Sequence, residues 1–444
     1  LHVLAQRGGS DSARTEARYA LGVALADLQY DQLAAIQFVE VIRSGVPRFQ
    51  RNSIERLSLL ADRLGDETLL NYALSKVLVS DLPEKNRDLV LLRLGENQLR
   101  KGQFAAAQST FQKIESGSKY FYQAQFNRGL ALLEANQPAQ AVPVFQNLYS
   151  LNTSQSVQHP QKVAAQMGWA RALYQAQDFN RSLDIYRKIP RDSEMWVDSI
   201  FESAWASFRA TKFRTVLSQF QSLHSGFFEE HYQPESLLLR SLVYLYICQF
   251  DEMEKTLGLF EKDYYPVRNI LTRFLVQNRD PALFVDEFVK SGGSKVLPIR
   301  VVRFLQKEGD VRRGVDYLKK ISDERKRLES LGSGSFSSYA RSALDQRTRN
   351  ARTAFGDLLQ FRLRALLADL EDLIEQAAFA KYEMIGGKKE QIKKKISEES
   401  SRAVDRSITR KYYIQNGFEY WPFQGEYWLD ELGNYQYVGQ SSCS

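Results

Sequence analysis

DLVLLRLGENQLRKGQFAAAQSTFQKIESGSK, residues 88–119, reads as one complete pair of helices, and much of the remaining chain is a variation on it. Leu91 and Leu94 fall on the inward face of a first helix. Gly95 has no side chain to hold a neighbour away, Gly102 breaks the helix, and Phe104, Ala107 and Phe111 line a second one. Small residues belong where two helices cross closely, and large ones fill the space to either side. The order large, small, turn, aromatic, small, aromatic therefore predicts a helix-turn-helix unit more strongly than any single residue could.

Toward the N-terminus, Tyr19 to Gly45 repeats the grammar with Leu21-Gly22, Tyr30, Ala34 and Phe38, its turn one residue out of register. Arg51 to Lys76 keeps apolar residues at helical spacing (Ile54, Leu57, Leu60, Leu64, then Leu69, Leu70, Ala73) but lacks the aromatic at the turn, so it reads as a degenerate repeat. Toward the C-terminus, Gly129, Ala141 and Phe145 follow Tyr122, with Pro138 opening the second helix where a missing N–H costs nothing. Then come Trp169-Ala170, Phe179 and Tyr186, closed by Pro190. Ala204, Phe213 and Phe220 follow, and after Pro234 come Tyr244, Phe250 and Leu257, closed by Pro266. Each pair can bury its apolar face only against a neighbour. About seven such units over residues 1–290 predict an all-α superhelix with a concave surface.

The pattern resembles the tetratricopeptide repeat. Leu94-Gly95, Gly102, Phe104, Ala107 and Phe111 fall at that family's spacing within a window of about 34 residues. The resemblance implies a right-handed α-solenoid that binds a protein segment in the groove of its first helices. By that likeness the groove positions are Leu92, Glu96, Leu99, Phe126, Asn127, Leu130, Met167, Arg171 and Glu202. One subclass grips C-terminal carboxylates with Lys, Asn and Arg on three consecutive first helices. At the matching places this chain has Leu92, Glu96, Asn127, Ala164 and Gly168, and a clamp without its cations cannot hold a carboxylate.

Beyond the repeats, residues 291–331 read as a diverged repeat or as capping helices, with Asp280-Pro281 a helix start and Gly309-Asp310 a turn. From Phe336 to Ala380 no Pro appears. Leu359, Leu363, Leu366, Leu370, Leu373, Ala377 and Ala380 form a heptad seam, which packs within the chain or serves a coiled-coil homodimer through 359–380. Gly386-Gly387 is expected to end that helix. A charged helix rich in Lys and Glu then returns as far as residue 411, completing a helical hairpin over 336–411.

The tail, 412–444, is aromatic: Trp421, Phe423, Tyr427 and Trp428 lie among further tyrosines, with Asn416-Gly417 and Leu432-Gly433-Asn434 as turn signals. It is expected to form short strands or a folded cap docked on a helix, or to stack on a partner or a glycan. The run from Tyr420 to Gly433 also resembles the ending of exported repeat proteins of gliding and predatory bacteria. That resemblance implies a periplasmic scaffold of an envelope or motility complex, the alternative location being the cytoplasm.

Net charge is +7, from 60 basic and 53 acidic residues, a mixed surface that argues against a nucleic-acid partner. No apolar run approaches the roughly 18 to 20 residues of a membrane span. The chain begins at Leu1 without Met, which fits a processed product, removal of a signal peptide being one route. Cys248 and Cys443 suggest neither a disulfide framework nor metal-ligand spacing, and the four histidines have no partner at i+3 or i+4. No phosphate loop, nucleophile elbow or dinucleotide fingerprint appears. The expectation is therefore a non-enzymatic scaffold without metal or cofactor, whose protein partner the sequence does not name. Two alternatives are an envelope glycan or peptidoglycan bound by the aromatic tail, and a groove filled in cis by the tail or by the 359–380 helix.

Overall fold

The computed structural model describes residues 1–7, 9–65, 87–151, 159–278, 280–289, 296–330, 332, 334–398, 423, 425–439 and 441–443. Within them the chain is an all-α solenoid of eighteen helices and two 3-10 turns, with no strand. α1 (His2–Arg7) leads into α2 (Asp11–Asp27), α3 (Asp31–Ser44) and α4 (Pro47–Leu64). The repeats continue as α5 (Arg87–Arg100) with α6 (Phe104–Gln112) and α7 (Phe121–Glu134) with α8 (Pro138–Leu151). Next come α9 (Pro160–Gln175) with α10 (Phe179–Tyr186), α11 (Trp196–Arg209) with α12 (Phe213–Leu223), and α13 (Pro234–Tyr246) with α14 (Phe250–Gln277). Three shorter elements follow, α15 (Pro281–Val289), α16 (Ile299–Lys307) and α17 (Gly309–Glu329), before the long α18 (Ser335–Glu398). Leu69, Leu70 and Ala73 of the degenerate repeat lie outside the described residues.

Two devices explain why these stretches fold as pairs. The first is a lock between a small residue and a large one sixteen positions later. A methyl on Gly95 would stand 2.5 Å from the Phe111 ring, one on Gly129 2.6 Å from Phe145, and one on Gly22 2.9 Å from Phe38. Ala170 with Tyr186 and Ala204 with Phe220 keep the same spacing, and all four are buried. The second device is the turn. Two residues before each second helix a left-handed residue stands: Gln29, Gly102, Asn136, Gln177, Thr211 and Cys248. The N–H that follows each one reaches back five residues, from Gln103 to the Gln98 carbonyl at 2.9 Å and from Asp178 to that of Leu173 at 2.9 Å. This closes the helix end by satisfying a terminal carbonyl.

The chain forms two compact units, each drawn from separate stretches: Leu1–Leu151, Asn278–Gly293 and Leu305–Phe361 in the first, and Asn152–Gln277, Ser294–Phe304 and Arg362–Ser444 in the second. In the first unit, α17 returns to the first repeat. Its Glu324 carboxylate is buried and accepts hydrogen bonds from the N–H groups of Gln32 (2.8 Å) and Leu33 (3.1 Å), capping α3 from a distant part of the chain. Burial pushes this carboxyl up to about 7, although the two N–H groups act the other way. Leu328, Ala340 and Leu344 from α17 and α18 join the apolar core of α2 to α5. Gly314 receives the Phe355 ring, and Gly356 lies against the Pro281 carbonyl so closely that a side chain there would overlap it.

Two expectations are corrected here. Pro266 does not close a helix; it lies inside α14, whose later turns bury Val267, Leu271 and Phe274. That apolar burial outweighs the single backbone bond a proline forfeits. Gly386-Gly387 does not end the long helix either, which runs unbroken to Glu398. Gly387 instead admits the Phe250 ring, 2.5 Å from where a Cβ would stand. Lys388 and Lys381 fasten this part of α18 to Glu254 (2.7 Å) and Glu261 (3.0 Å) of α14. The seam residues Leu359, Leu363, Leu366, Leu370, Ala377 and Ala380 are buried, and Leu373 is half-buried. The return helix expected up to residue 411 lies, beyond Glu398, outside the described residues.

Candidate functional site

In each unit the first helices carry a polar rung that links one repeat to the next. In the first unit, Glu96 on α5 accepts from Gln123 Nε2 (2.9 Å) and Asn127 Nδ2 (3.2 Å) on α7, and pairs with Arg93 at 2.8 Å. In the second, Arg171 on α9 holds Glu202 on α11 with both arms, Nε at 2.8 Å and a terminal nitrogen at 2.6 Å. The Tyr186 hydroxyl donates to the same carboxylate at 2.8 Å. Glu96 and Arg171 each follow the small residue of the lock, while Asn127 and Glu202 each precede the next one by two positions. The rungs are therefore equivalent, with the charge of the leading residue reversed. The bond to Glu202 raises the Arg171 pKa, and burial, followed by Glu202, raises that of Tyr186.

Such a face offers fixed donors and acceptors that neutralise one another, so it reads a ligand by geometry more than by net charge. Beside the first rung, Leu99, Phe126 and Leu130 are half-buried, and the Phe126 ring meets Phe145 edge-on at 5.4 Å. Leu92 and Met167 do not line this face. Both are buried, Leu92 within the apolar core of the first unit.

The second surface belongs to the second unit, where the tail folds back along α12. The Gly433 N–H donates to Ser222 Oγ at 2.6 Å, and the Tyr437 N–H to Ser218 Oγ at 2.8 Å. The Tyr437 hydroxyl reaches Gln249 Oε1 at 2.7 Å, the Ser442 N–H reaches the Ile247 carbonyl at 2.8 Å, and Arg191 donates to the Asp430 carbonyl at 3.1 Å. Cys443 then forms a disulfide with Cys248, 195 residues earlier. That corrects the expectation of no disulfide framework: no local spacing could announce a pair brought together by a returning tail.

The expected tail strands are absent among the described residues, where a 3-10 turn at Leu429–Glu431 leads into non-helical chain. The aromatics expected to dock differ in their surroundings. Phe423 and Trp428 are exposed, and Tyr427 bridges Phe423 (5.0 Å) and Tyr435 (6.2 Å); Leu432 is the large apolar side chain buried beneath them. Trp421 lies outside the described residues.

Sequence reading missed an aromatic group beside this attachment. Phe208 lies 5.9 Å from Trp205, 5.8 Å from Phe213 and 5.6 Å from Tyr246, and Tyr246 stacks on Phe213 at 5.4 Å. The readable signal was the recurrence of aromatics in the last turn of first helices. Next to it, a pocket of about 510 Å³ lies between the start of α12 (Lys212, Phe213, Arg214) and the tail (Gln436, Tyr437, Ser441).

One pair looks like a nucleophile and its base. His224 Nε2 is 2.9 Å from Ser236 Oγ, with Ser236 buried and His224 half-buried, and the other ring nitrogen faces Arg240 at 3.1 Å. Burial and that cation hold the imidazole well below its usual pKa, so it is neutral, accepts from Arg240 and donates to Ser236. The arrangement fixes the imidazole between α12 and α13. Among the described residues, no cluster of three or more His, Cys, Asp or Glu could hold a metal ion, and no helix is long and apolar enough to cross a membrane.

A family profile described as the tetratricopeptide repeat matches residues 92–156 and 126–194. No curated protein matches. A solved structure described as Rap protein complexed with competence and sporulation factor is similar at 12% identity, over 80% of this chain and 99% of that chain, with a TM-score of 0.35. The matched residues are among those in which the lock, the left-handed turn and the rungs recur, so residues 92–194 carry tetratricopeptide repeats, a fold that supports protein–protein interaction.

Proposed function

We propose that the chain is a non-enzymatic scaffold of an exported envelope complex and that the first-helix face takes a protein segment. The observation that carries this reading is the recurrence of equivalent rungs, Glu96 with Asn127 and Arg171 with Glu202, the first of them beside half-buried Leu99, Phe126 and Leu130. Fixed polar groups next to apolar patches are the features by which protein segments are recognised. The Cys248–Cys443 disulfide supports export, since such bonds persist in oxidising compartments and are rare in a reducing cytoplasm. The tail's resemblance to exported repeat proteins points the same way. The buried 359–380 seam leaves the monomer reading ahead of a coiled-coil homodimer.

The test is affinity capture from the source cell, comparing the full chain with Asn127→Ala and Arg171→Glu. Arg171→Glu sets two carboxylates against each other and should lower partner recovery at least tenfold, with the helical content unchanged. A second reading rests on the exposed Phe423 and Trp428, which suit stacking on a sugar ring. It requires that Trp428→Ala abolish sedimentation with isolated peptidoglycan while the groove variants leave it intact.

A further inference from the structure

We infer that the Ser218–Ser222 face of α12, together with Ile247 and Gln249, is a docking strip for a non-helical peptide segment, held closed by the chain's own tail through the Cys248–Cys443 disulfide. The tail shows what the strip accepts. Successive contacts run against the direction of α12, from Gly433 at Ser222 to Tyr437 at Ser218 and on to Ser442 at the Ile247 carbonyl. What is read is mainly backbone N–H, and one phenol, Tyr437, reaches Gln249. Backbone contacts at fixed places select a segment that can lie non-helical along the strip, and the phenol placed for Gln249 makes the strip selective for sequence.

The manner of attachment marks the tail as detachable. Among its described large apolar side chains Leu432 is buried, Tyr427, Tyr435, Tyr437 and Val438 are half-buried, and Phe423, Trp428 and Leu429 are exposed. A segment with one fully buried apolar side chain, and hydrogen bonds that are each a small net gain against water, depends on the covalent link to stay in place. That link is accessible, because Cys443 is exposed and Cys248 half-buried. A dithiol reductant can attack Cys443 Sγ as thiolate, releasing the Cys248 thiolate. Its second thiol then resolves the mixed disulfide, leaving two protein thiols and the reductant's own disulfide. Loss of the tail also removes one wall of the pocket beside Phe213 and uncovers the Ser218 and Ser222 hydroxyls.

The inference rests on the scaffold reading, but its first arm needs no partner. Hydrogen exchange on the full chain, oxidised and then reduced, should show protection of the Gly433, Tyr437 and Ser442 amides falling at least tenfold while that of α12 and α13 holds. In the second arm, a synthetic peptide of residues 429–443, carrying its cysteine as the mixed disulfide with thionitrobenzoate, is offered to full-chain Cys443→Ser. The Cys248 thiolate attacks the peptide sulfur and thionitrobenzoate leaves, so trapping is read by absorbance. The peptide should react at least ten times faster than one of scrambled sequence, and Ser218→Ala with Ser222→Ala in the acceptor should erase that advantage. Unchanged protection after reduction, or equal rates for native and scrambled peptides, overturns the inference. Neither result bears on whether the first-helix rungs bind a partner, so failure here and failure of the scaffold reading are distinguishable.

Discussion

In each unit a distant part of the chain is fastened to a repeat, and the two fastenings differ in kind. In the first unit, α17 and α18 bring Leu328, Ala340 and Leu344 into the core of the early repeats, and the buried Glu324 carboxylate caps α3. In the second, the tail lies on α12 by backbone hydrogen bonds and one disulfide, with Leu432 buried and Phe423, Trp428 and Leu429 exposed. An element fastened by apolar burial unfolds only with its unit. One fastened by a few hydrogen bonds and a covalent link can leave while the unit stays folded. A buried carboxylate makes the first fastening sensitive to protons, and an exposed disulfide makes the second sensitive to thiols.

The contrast can be broken at its strongest point with Glu324→Ala, which leaves the Gln32 and Leu33 N–H groups buried without an acceptor. Urea unfolding at pH 6 should show a loss of about 3 to 5 kcal/mol. A loss under about 1 kcal/mol would place α17 with the loosely held elements.

The pH dependence of stability sharpens the same point. Glu324 in the folded protein keeps its proton to about pH 7, whereas its ordinary value is 4.5, so between those values the folded state binds more protons than the unfolded one. Its contribution is fully present below about pH 4.5 and is lost as pH rises through about 7, by about 3 kcal/mol at most. Asp31, also raised by burial, adds in the same direction, with Arg63, Arg327 and Lys320 opposing it. Denaturant midpoints across pH 4 to 8 should show this decline, and Glu324→Gln should flatten it. The smallest effect belongs to the tail. Leu432→Ala should lower global stability by about 1 kcal/mol or less, below the 2 to 5 kcal/mol of a core leucine, because the segment can open alone. A core-sized loss would mean that the tail is part of the second unit's cooperative structure.

The groove was only partly legible. Repeat register places Glu96, Asn127, Arg171 and Glu202 on the first helices, and the structure pairs Glu96 with Asn127 and Arg171 with Glu202, but each pairing spans neighbouring repeats and depends on how those repeats pack. Leu92 and Met167 were placed on the same face, and burial shows that helical phase alone could not separate lining from packing. The left-handed turn residues escaped notice except at Gly102, because Gln29, Asn136, Gln177, Thr211 and Cys248 are not glycine.

The sequence by itself determined the repeats. The small and large residues of each lock lie sixteen apart, and contacts that close are set by helix period and a short turn. Only the tertiary structure decided that Glu324 caps a helix 292 residues away, that Cys443 finds Cys248, and that Gly387 admits Phe250 where a helix end was expected. The physical reason is that these contacts depend on where the chain returns. A glycine that ends a helix and a glycine that lets a ring approach are the same residue until the neighbour is in place.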